Sequence, residues 1–436
     1  MAGTPLSVSL PRLESLLSPF VGIVQGAYEL LHAPDETRLV NVGCVLAGGA
    51  PVLGADTVVH VGSAHPEPRA ALAAALGEAA ERYSAVYIPE DELVTASARE
   101  LGAAAVDPAV FALFHERQYA LPGFPFVPFG PDTELHWVRG WSLLDGTPAF
   151  VPAQLVYLRR PLTAEPAIAY ATSNGVACGP TLAEALLAAL CELVERDAFV
   201  LAWLNRLSLP RLDWSSHREL LQLERRYFAQ TGLRYSAVDL SVFSGMPAVL
   251  GVVRPNDSRS GRLGIGAGCA ASLEEAWSKA LAEAFSVYRW VGERAPHGTI
   301  PESPDDVRTF DDHLLFYAPP ERAAATQFLD ASDAVRDVGE IAPLAGDDPA
   351  SQLDAAISLL RRRGIVAYAV DVTAPDIREA GLWVVRVLAP QLCSLDVAHS
   401  ARFLGGTRIY AAAYETGLRE RPLAFDELNP NPHPFP

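Results

Sequence analysis

Two stretches of the chain carry acidic residues at the same spacing. Glu184 to Glu192 and Glu275 to Glu283 both read Glu-Ala-x-x-x-Ala-Leu-x-Glu, and each follows a glycine-rich turn, at 174–179 and at 264–268. Alanine and leucine fill the positions between the glutamates, so the carboxylates lie on helices otherwise suited to burial. Because an unpaired charge is costly there, we expect cationic groups to compensate these carboxylates.

Helix geometry brings the glutamates of the first stretch together. At about 100° per residue, Glu184, Glu192 and Glu195 fall within roughly 80° of one another, and Arg196 extends this polar edge. The second stretch offers its two glutamates in a similar way. Carboxylates from paired helices suit Mg²⁺, which takes hard oxygen ligands and bridges protein carboxylates to substrate phosphates. The alternative is two amphipathic helices with solvated glutamates, but the repetition favours a functional site.

The overall composition limits the classes of partner. The chain has 436 residues, half of them hydrophobic, which predicts a large core and two to three intimately joined subdomains. Its net charge of −18 argues against a nucleic-acid backbone or an anionic membrane as the main partner. The sequence has no apolar run of membrane-spanning length and no signal-peptide pattern, which indicates a cytoplasmic location.

Strand-like runs, glycine turns and helical patterns alternate along the chain and predict a mixed α/β fold. A helix is predicted from about Thr181 to Asn205, and a short strand at 85–88. The predicted divisions are an N-terminal part at 1–160, the repeated helices at 161–310, a peripheral insertion at 311–350 and a C-terminal part with a proline-rich tail at 351–436.

The common nucleotide-binding motifs are missing. The sequence has neither a P-loop nor a Rossmann glycine motif with its acidic partner. A nucleotide would therefore be held by the acidic helices with Mg²⁺, and by arginines that contact phosphate, for which Arg196 and Arg386 are candidates.

Five cysteines are scattered without a Cys-x-x-Cys pair, which indicates neither a zinc site nor a disulfide framework. Cys178 and Cys269 occupy equivalent places at the two glycine turns. This equivalence admits a nucleophilic cysteine as a further hypothesis.

These motifs resemble a known family. Ser-Asn-Gly-Val-Ala-Cys-Gly at 173–179, followed by Glu-Leu-Val-Glu-Arg-Asp-Ala-Phe at 192–199, resembles the signature of the YcaO family. The likeness continues through 264–290, 371–387 and 404–408, so nearly the whole chain resembles the azoline-forming cyclodehydratase branch, as a subunit separate from its leader-binding partner. The resemblance implies the YcaO fold, in which repeated strand-turn-helix units build an ATP site with Mg²⁺.

The resemblance also implies roles for individual residues. Glu192 and Glu195 match the first metal-binding pair, and Glu283 matches the leading member of the second. Ser286 stands where the family usually offers Glu or Gln, which implies a water-bridged second metal or weaker nucleotide binding. The residues expected to contact the nucleotide are Ser18, Glu184, Arg196, Glu275 and Arg386.

The C-terminus has proline at every second position from Pro430 to Pro436. Proline fixes φ and disfavours helix, so we expect an extended polyproline II tail. Such a segment is commonly a disordered end or a linker. Here it resembles the tail of azoline-forming cyclodehydratases, which reaches the active site. The carboxylate of Pro436 and the imidazole of His433 are the candidate catalytic bases, although His433 is equally interpreted as an ordinary tail residue.

The implied reaction is ATP-dependent cyclodehydration of a ribosomally made peptide. A Cys thiol, or a Ser or Thr hydroxyl, attacks the preceding amide, the oxyanion takes a phosphoryl group from ATP, and loss of phosphate leaves a thiazoline or oxazoline. The implied partners are the precursor peptide, a separate leader-binding protein and, where azoles are the product, a flavin-dependent dehydrogenase. A homodimer is compatible with these properties. The alternatives are thioamidation or amidine formation at the same ATP site, and a catalytically idle scaffold subunit, suggested by Ser286.

Overall fold

The computed structural model describes residues 3–33, 36–47, 60–159, 165–256 and 261–436. The strands are β1 (Val24–Leu30), β2 (Val40–Leu46), β3 (His60–His65), β4 (Val94–Ala96), β5 (Leu135–Ser142), β6 (Pro148–Pro152), β7 (Val176–Gly179), β8 (Arg211–Asp213), β9 (Arg234–Asp239), β10 (Ala248–Arg254), β11 (Gly264–Cys269), β12 (Val335–Asp337), β13 (Tyr368–Asp371) and β14 (Trp383–Leu388). The α-helices are α1 (Leu6–Glu14), α2 (Pro68–Ser84), α3 (Ala98–Leu101), α4 (Glu116–Tyr119), α5 (Ala153–Val156), α6 (Leu182–Leu204), α7 (Arg218–Tyr227), α8 (Leu273–Arg294), α9 (Phe310–Phe316), α10 (Pro349–Arg361), α11 (Pro375–Glu379) and α12 (Arg408–Glu415).

Within the described ranges, the strands form three sheets. One has the order β1-β2-β3, a second the order β11-β10-β9-β8-β12, and the third the order β4-β5-β13-β14-β7 with β6 beside β5. Most neighbouring strands are antiparallel, while β12 runs parallel to β8. The mixed α/β class predicted from the sequence is confirmed. In the part of the chain described here, no helix has the length and apolar character needed to cross a bilayer.

Two strand-to-helix units, β7 with α6 and β11 with α8, carry the repeated glutamates. Thr181 caps the N-terminus of α6 by accepting a hydrogen bond from the backbone of Glu184, and Ser272 does the same for Glu275 at α8. The first glutamate of each repeat therefore lies three residues after a hydroxyl cap, the spacing that stabilises the start of a helix. A capping role explains why these two positions recur.

The glycines at 264–268 form a strand rather than the predicted turn. A Cβ on Gly266 would lie 2.6 Å from the Cβ of Glu283, and one on Gly264 would lie 2.6 Å from the Cβ of Tyr288. Alternate glycines thus clear one face of β11, which lets α8 pack directly against the strand. This contact fixes Glu283 over the sheet.

Two other segments differ from expectation. The predicted strand at 85–88 is wrong: α2 ends at Ser84, and the apolar residues after it continue into the core as a turn and loop. The segment at 311–350, predicted as a peripheral insertion, contributes β12 to the edge of the five-stranded sheet. The residues at 85–88 are mostly buried, whereas β12 is exposed or half-buried at the sheet edge, and tertiary contacts decide the conformation of both segments.

Candidate active site

A cavity of about 570 Å³ opens between α2, α6, α8 and the three-stranded sheet. Its lining includes one glutamate from α2, two from α6 and two from α8, together with three cationic side chains. These charged residues are Glu81, Glu192, Glu195, Glu283, Glu293, Arg196, Lys279 and Arg289. The two repeated helices thus bring Glu192, Glu195 and Glu283 together, as the sequence predicts.

Backbone amides hold the second glutamate of each repeat in an equivalent way. The amide of Gly175, just before β7, donates to Glu192 Oε2 at 3.2 Å. The amide of Ala267, on β11, donates to Glu283 Oε2 at 2.7 Å. Each carboxylate is therefore oriented by the strand or turn that precedes its own helix. One oxygen of each bonds to the backbone, which leaves the other for a cation.

Glu195 links the two units. Its Oε2 accepts a hydrogen bond from the amide of Cys269 at the end of β11, at 3.1 Å, although Glu195 itself lies on α6. Its side chain is only 6% exposed. The contact joins the first repeated helix to the second strand, so the two carboxylate-bearing helices are held in a fixed relation.

Glu81, on α2, completes the acidic cluster and was missed by the sequence analysis. The amide of Cys178 on β7 donates to Glu81 Oε1 at 2.8 Å. A signal was present, because Glu-Ala-Ala-Glu-Arg at 78–82 has the same pattern as Glu-Leu-Val-Glu-Arg at 192–196. Glu78 forms an ion pair with Arg82 at 3.3 Å and raises the pKa of Glu81 electrostatically.

The crowding of carboxylates perturbs their acidity. Burial, with the charges of Glu192 and Glu78, raises the pKa of Glu81 to about 8. Burial and the charge of Glu195 raise the pKa of Glu283 to about 7, although Arg196 opposes the shift. Burial also raises the pKa of Glu192. Such shifts report negative charge that the protein does not fully compensate, and a divalent cation is the compensation that carboxylate oxygens suit best.

Arg196 is the cation at the centre of the cluster. Its Nε lies 3.8 Å from Glu192 Oε1 and 3.6 Å from Glu195 Oε1, and it is buried without a hydrogen-bond partner. Burial disfavours the charge of Arg196, but Glu195, Glu283 and Glu192 outweigh burial and raise its pKa. The guanidinium therefore stays charged and keeps donors for a phosphate.

Lys279 is a second cationic residue at this site. The sequence analysis gave it no role. It lines the cavity one turn before Glu283 and interacts electrostatically with Glu195 and Glu275. It is also the only lysine in the chain, whose other basic side chains are arginine or histidine. The single lysine in an arginine-rich chain was the signal that pointed to it.

Ser286 lines the cavity at the position where the family resemblance implies Glu or Gln. Its hydroxyl donates to the carbonyl oxygen of Ala282 at 2.9 Å and approaches Asn41 Oδ1 at 3.4 Å. The hydroxyl is thus used by its own helix, and α8 offers Glu283 without a carboxylate partner one turn later. The donor set fits Mg²⁺ with Glu81, Glu192, Glu195 and Glu283 as the residues that would hold it.

Three predicted nucleotide contacts do not line this cavity. Glu184 accepts hydrogen bonds from the amide and hydroxyl of Thr4, at 2.6 and 2.9 Å, and from Thr181. Glu275 is at the capped start of α8. Ser18 accepts from the amides of Phe20 and Val21 in its own turn.

Arg386, the fourth, lies on β14 opposite Val176 and is also outside the cavity lining. It is buried, and its guanidinium donates to the carbonyl oxygen of Thr172 at 2.6 Å. Its nearest acidic influence is Glu192, which opposes a burial-driven fall of its pKa to about 10.

The proline-rich tail runs along α6 and ends at Arg196, one of the residues that line the cavity. Trp203 donates to the carbonyl oxygen of Asn431 at 3.2 Å, and Tyr317 to that of Pro432 at 2.5 Å. Phe435 is fully buried, and the guanidinium carbon of Arg196 lies 4.3 Å from its ring centre. Arg196 also donates to a backbone carboxylate oxygen of Pro436 at 3.5 Å. The tail thus places the last residue beside the carboxylate cluster.

His433 has a structural position in this tail. Its Nε2 donates to the carbonyl oxygen of Asp396 at 2.8 Å, and its Nδ1 accepts from the amide of Phe435 at 3.2 Å. Its ring stacks on His313 with centres 3.8 Å apart. Burial, with the charge of His313, lowers its pKa well below the usual range. With both ring nitrogens bonded to backbone, His433 fixes the tail and is not placed to act as a base.

The cysteine hypothesis also loses support. The described residues include all five cysteines as free thiols. Burial and the charge of Glu81 raise the pKa of Cys178, and burial, with Cys191 and Glu195 nearby, raises that of Cys269. Raised pKa values keep both as unreactive thiols, whose backbone amides instead orient Glu81 and Glu195.

Comparison with known proteins agrees with this geometry. The YcaO family, described as ATP- and Mg²⁺-binding YcaO cyclodehydratases, matches residues 63–393. An uncharacterized protein from the tfuA 3′ region of Rhizobium leguminosarum bv. trifolii is 33% identical over 158 residues, 34% of this chain and 37% of that protein. An uncharacterized protein of Methanothermobacter thermautotrophicus is 28% identical over 74% of this chain and 78% of its own length.

Solved structures are similar over most of the chain. A heterocyclase in complex with substrate and cofactor superposes with a TM-score of 0.83 and 25% identity, covering 99% of this chain and 57% of that one. The heterocyclase TruD gives 0.69 and 30% identity, covering 84% of this chain and 50% of that one. The matched regions therefore span about half of the length of either heterocyclase. YcaO from Methanopyrus kandleri, bound with AMPPCP and Mg²⁺, shares the fold with a TM-score of 0.63, 18% identity and coverage of 89% and 92%. The chain belongs to the YcaO family, and its cofactors are ATP and Mg²⁺.

Proposed function

We propose that this protein is an ATP-dependent cyclodehydratase that converts Cys, or Ser and Thr, residues of a precursor peptide to azolines. The observation that carries the proposal is the position of Pro436, whose backbone oxygen accepts a hydrogen bond from Arg196 beside the carboxylate cluster. Similarity to TruD, a heterocyclase, supports the same branch of the family.

The bound groups and the protein would supply different parts of the reaction. ATP with Mg²⁺ supplies a phosphoryl group that makes the amide oxygen a leaving group once the neighbouring thiol or hydroxyl has attacked the carbonyl carbon. Glu81, Glu192, Glu195 and Glu283 would hold the metal. Arg196 and Lys279 face the cavity with cationic groups that suit phosphate oxygens.

The terminal carboxylate of Pro436 is the proposed base. A carboxylate near Arg196 can accept a proton from the attacking thiol or hydroxyl and release it to solvent, and it can then accept one from the amide nitrogen as the ring forms. Phe435 stacks against Arg196 and the His433 ring bonds to backbone, so the final residue has little freedom. A fixed base raises the rate because its position is set before the substrate arrives.

The test is mass spectrometry of the precursor peptide encoded beside the gene, incubated with this protein, its leader-binding neighbour, Mg²⁺ and ATP. Loss of one water per modified residue is expected with the wild type and strongly reduced with Glu283→Gln at limiting Mg²⁺. The matched control is Glu274→Gln, which removes a carboxylate from the same helix where it pairs with His217 outside the cavity. An unmodified peptide despite measured peptide and nucleotide binding contradicts the proposal and favours the scaffold.

Nucleotide binding can be tested separately because Lys279 is the only lysine. Periodate-oxidised ATP with Mg²⁺ should label this side chain, and excess ATP should protect it. Labelling that ATP does not prevent would contradict a nucleotide at this cavity.

Thioamidation is the second candidate, because the Rhizobium relative lies in a tfuA 3′ region. In that case, supplying sulfide gives exchange of oxygen for sulfur in the peptide instead of loss of water.

A further inference from the structure

A second cavity meets the first one at α6. This side cavity has a volume of about 60 Å³, and its lining includes Tyr170, Thr172, Leu193, Arg386 and Phe403. Leu193 lines the side cavity while its neighbour Glu192 lines the first cavity. The amide of Gly175 bonds to Glu192, and Asn174, the residue before it, lines the side cavity, so one short segment borders both spaces.

Arg386 is the one charged residue among the described residues that line the side cavity. It is 4% exposed, and its Nε is buried with no hydrogen-bond partner. The bond to Thr172 uses one of the five N–H donors of the guanidinium. A buried cation with so little compensation destabilises a fold, so its retention points to a ligand that completes its hydrogen bonds.

The surroundings define the chemistry of that ligand. The space holds a group of only a few atoms, too little for a triphosphate. Apart from Arg386 the described lining is uncharged and largely apolar or aromatic, as at Leu388 and Phe403. An oxygen acceptor attached to a small apolar group fits these properties. A peptide backbone carbonyl with its neighbouring side chain has that composition.

We infer that Arg386 binds a backbone carbonyl oxygen of the peptide substrate next to the residue being modified, and that the side cavity takes a small apolar side chain. The inference rests on the proposed function and gives Arg386 a peptide contact instead of the phosphate contact expected from the sequence. Glu192 and Leu193 are neighbours on α6, so the side cavity lies close to the carboxylate cluster on which the proposed reaction depends.

The experiment compares Arg386→Gln, Arg386→Lys and Ser394→Phe with the wild type, using the precursor peptide encoded beside the gene. Ser394 lines the side cavity and is partly exposed, so a phenyl ring there blocks the space without changing Arg386. We expect Arg386→Gln and Ser394→Phe to raise the peptide KM at least about tenfold, the effect of losing a hydrogen bond to a charged group. Arg386→Lys should recover part of the loss. The Kd of Mg·ATP should stay within about twofold of the wild type in all three.

The outcomes separate this inference from its alternatives. Weaker Mg·ATP binding in Arg386→Gln would support the phosphate contact that the sequence predicts for Arg386, and it would overturn the inference. An unchanged peptide KM in Arg386→Gln or Ser394→Phe would overturn it as well. Because the isolated cation is destabilising, Arg386→Gln should keep or raise the unfolding temperature, whereas a large fall would indicate a structural residue. If the Gln variant does not fold, Ser394→Phe still decides the role of the cavity. Failure of the proposed function gives a different result. In that case the wild type forms no product although it binds Mg·ATP.

Discussion

The two repeated units share a backbone plan and differ in their chemistry. In each, a capped helix follows a strand and one carboxylate accepts a backbone amide, Glu192 from Gly175 and Glu283 from Ala267. Only α6 adds a second carboxylate one turn later, an arginine beside it, and the C-terminal tail. On α8 the corresponding place is Ser286, whose hydroxyl bonds to its own helix.

This difference indicates that the two repeated units contribute differently to the site. A repeated strand-to-helix unit provides two equivalent carboxylate positions because local backbone geometry is the same in both. The additional charged groups lie on or near α6, which the tail and Glu81 approach from distant parts of the sequence. We therefore expect α6 to dominate catalysis and α8 to tune the affinity for metal and nucleotide.

The largest effect should come from the α6 carboxylates. Glu192→Gln removes a charge from the metal cluster while keeping the size and one hydrogen-bond acceptor, and we expect at least about a 1,000-fold loss of azoline formation, as for loss of a group that stabilises developing charge. Product is measured by mass spectrometry under single-turnover conditions. Glu283→Gln should lose less of this activity at saturating Mg²⁺. Equal losses of activity in the two variants at all Mg²⁺ concentrations would contradict the different roles of α6 and α8.

Extending the chain past Pro436 should have the next largest effect. Two added glycines move the terminal carboxylate from its place at Arg196, and we expect a loss of about 100-fold, the contribution of a positioned general base. The rate of cyclodehydration and the Kd of Mg·ATP are measured on the same protein. The Kd should change little, and an extended chain with full activity would remove Pro436 from the mechanism.

A longer polar side chain at position 286 tests the comparison between α6 and α8 further. Ser286→Gln places an amide oxygen toward the cavity, one turn after Glu283, and we expect the Mg²⁺ concentration for half-maximal nucleotide binding to fall about tenfold. Ser286→Ala serves as the matched control, because it keeps the small size and removes only the hydroxyl. A Gln variant with the same Mg²⁺ requirement as the wild type would show that position 286 does not contribute to the metal site.

The smallest predicted effect is on stability as a function of pH. The folded-state pKa values of Glu283 and Glu81 are raised, to about 7 and about 8, so the stability they contribute is present below about pH 4.5 and is lost as pH rises through those values. Mg·ATP compensates the charge, so the rise in Tm on adding it should be larger at pH 8.5 than at pH 6, by at least about 2 °C. Thermal unfolding with and without Mg·ATP measures the difference. Glu81→Gln should reduce it, and an equal Tm rise at both pH values would contradict the assigned shifts.

Local sequence was sufficient to predict the repeated helices and the helix face on which two of the glutamates lie. Glu192 and Glu195 are three residues apart on a helix, and this spacing alone places them on the same face. The order of strands and helices likewise gave the mixed α/β class. The repeated glutamates were found correctly, but the first member of each pair, Glu184 or Glu275, recurs because it lies three residues after a helix cap.

Tertiary structure decided the contacts between distant parts of the chain. Glu81 reaches the cluster from α2, Cys269 orients Glu195 across the two units, and Pro436 meets Arg196 over 240 residues of sequence. The spacing of residues along a helix or strand determines which side chains share a face. Which faces then meet depends on packing and on long-range hydrogen bonds, and these interactions placed His433 in the buried tail and Arg386 beside the side cavity.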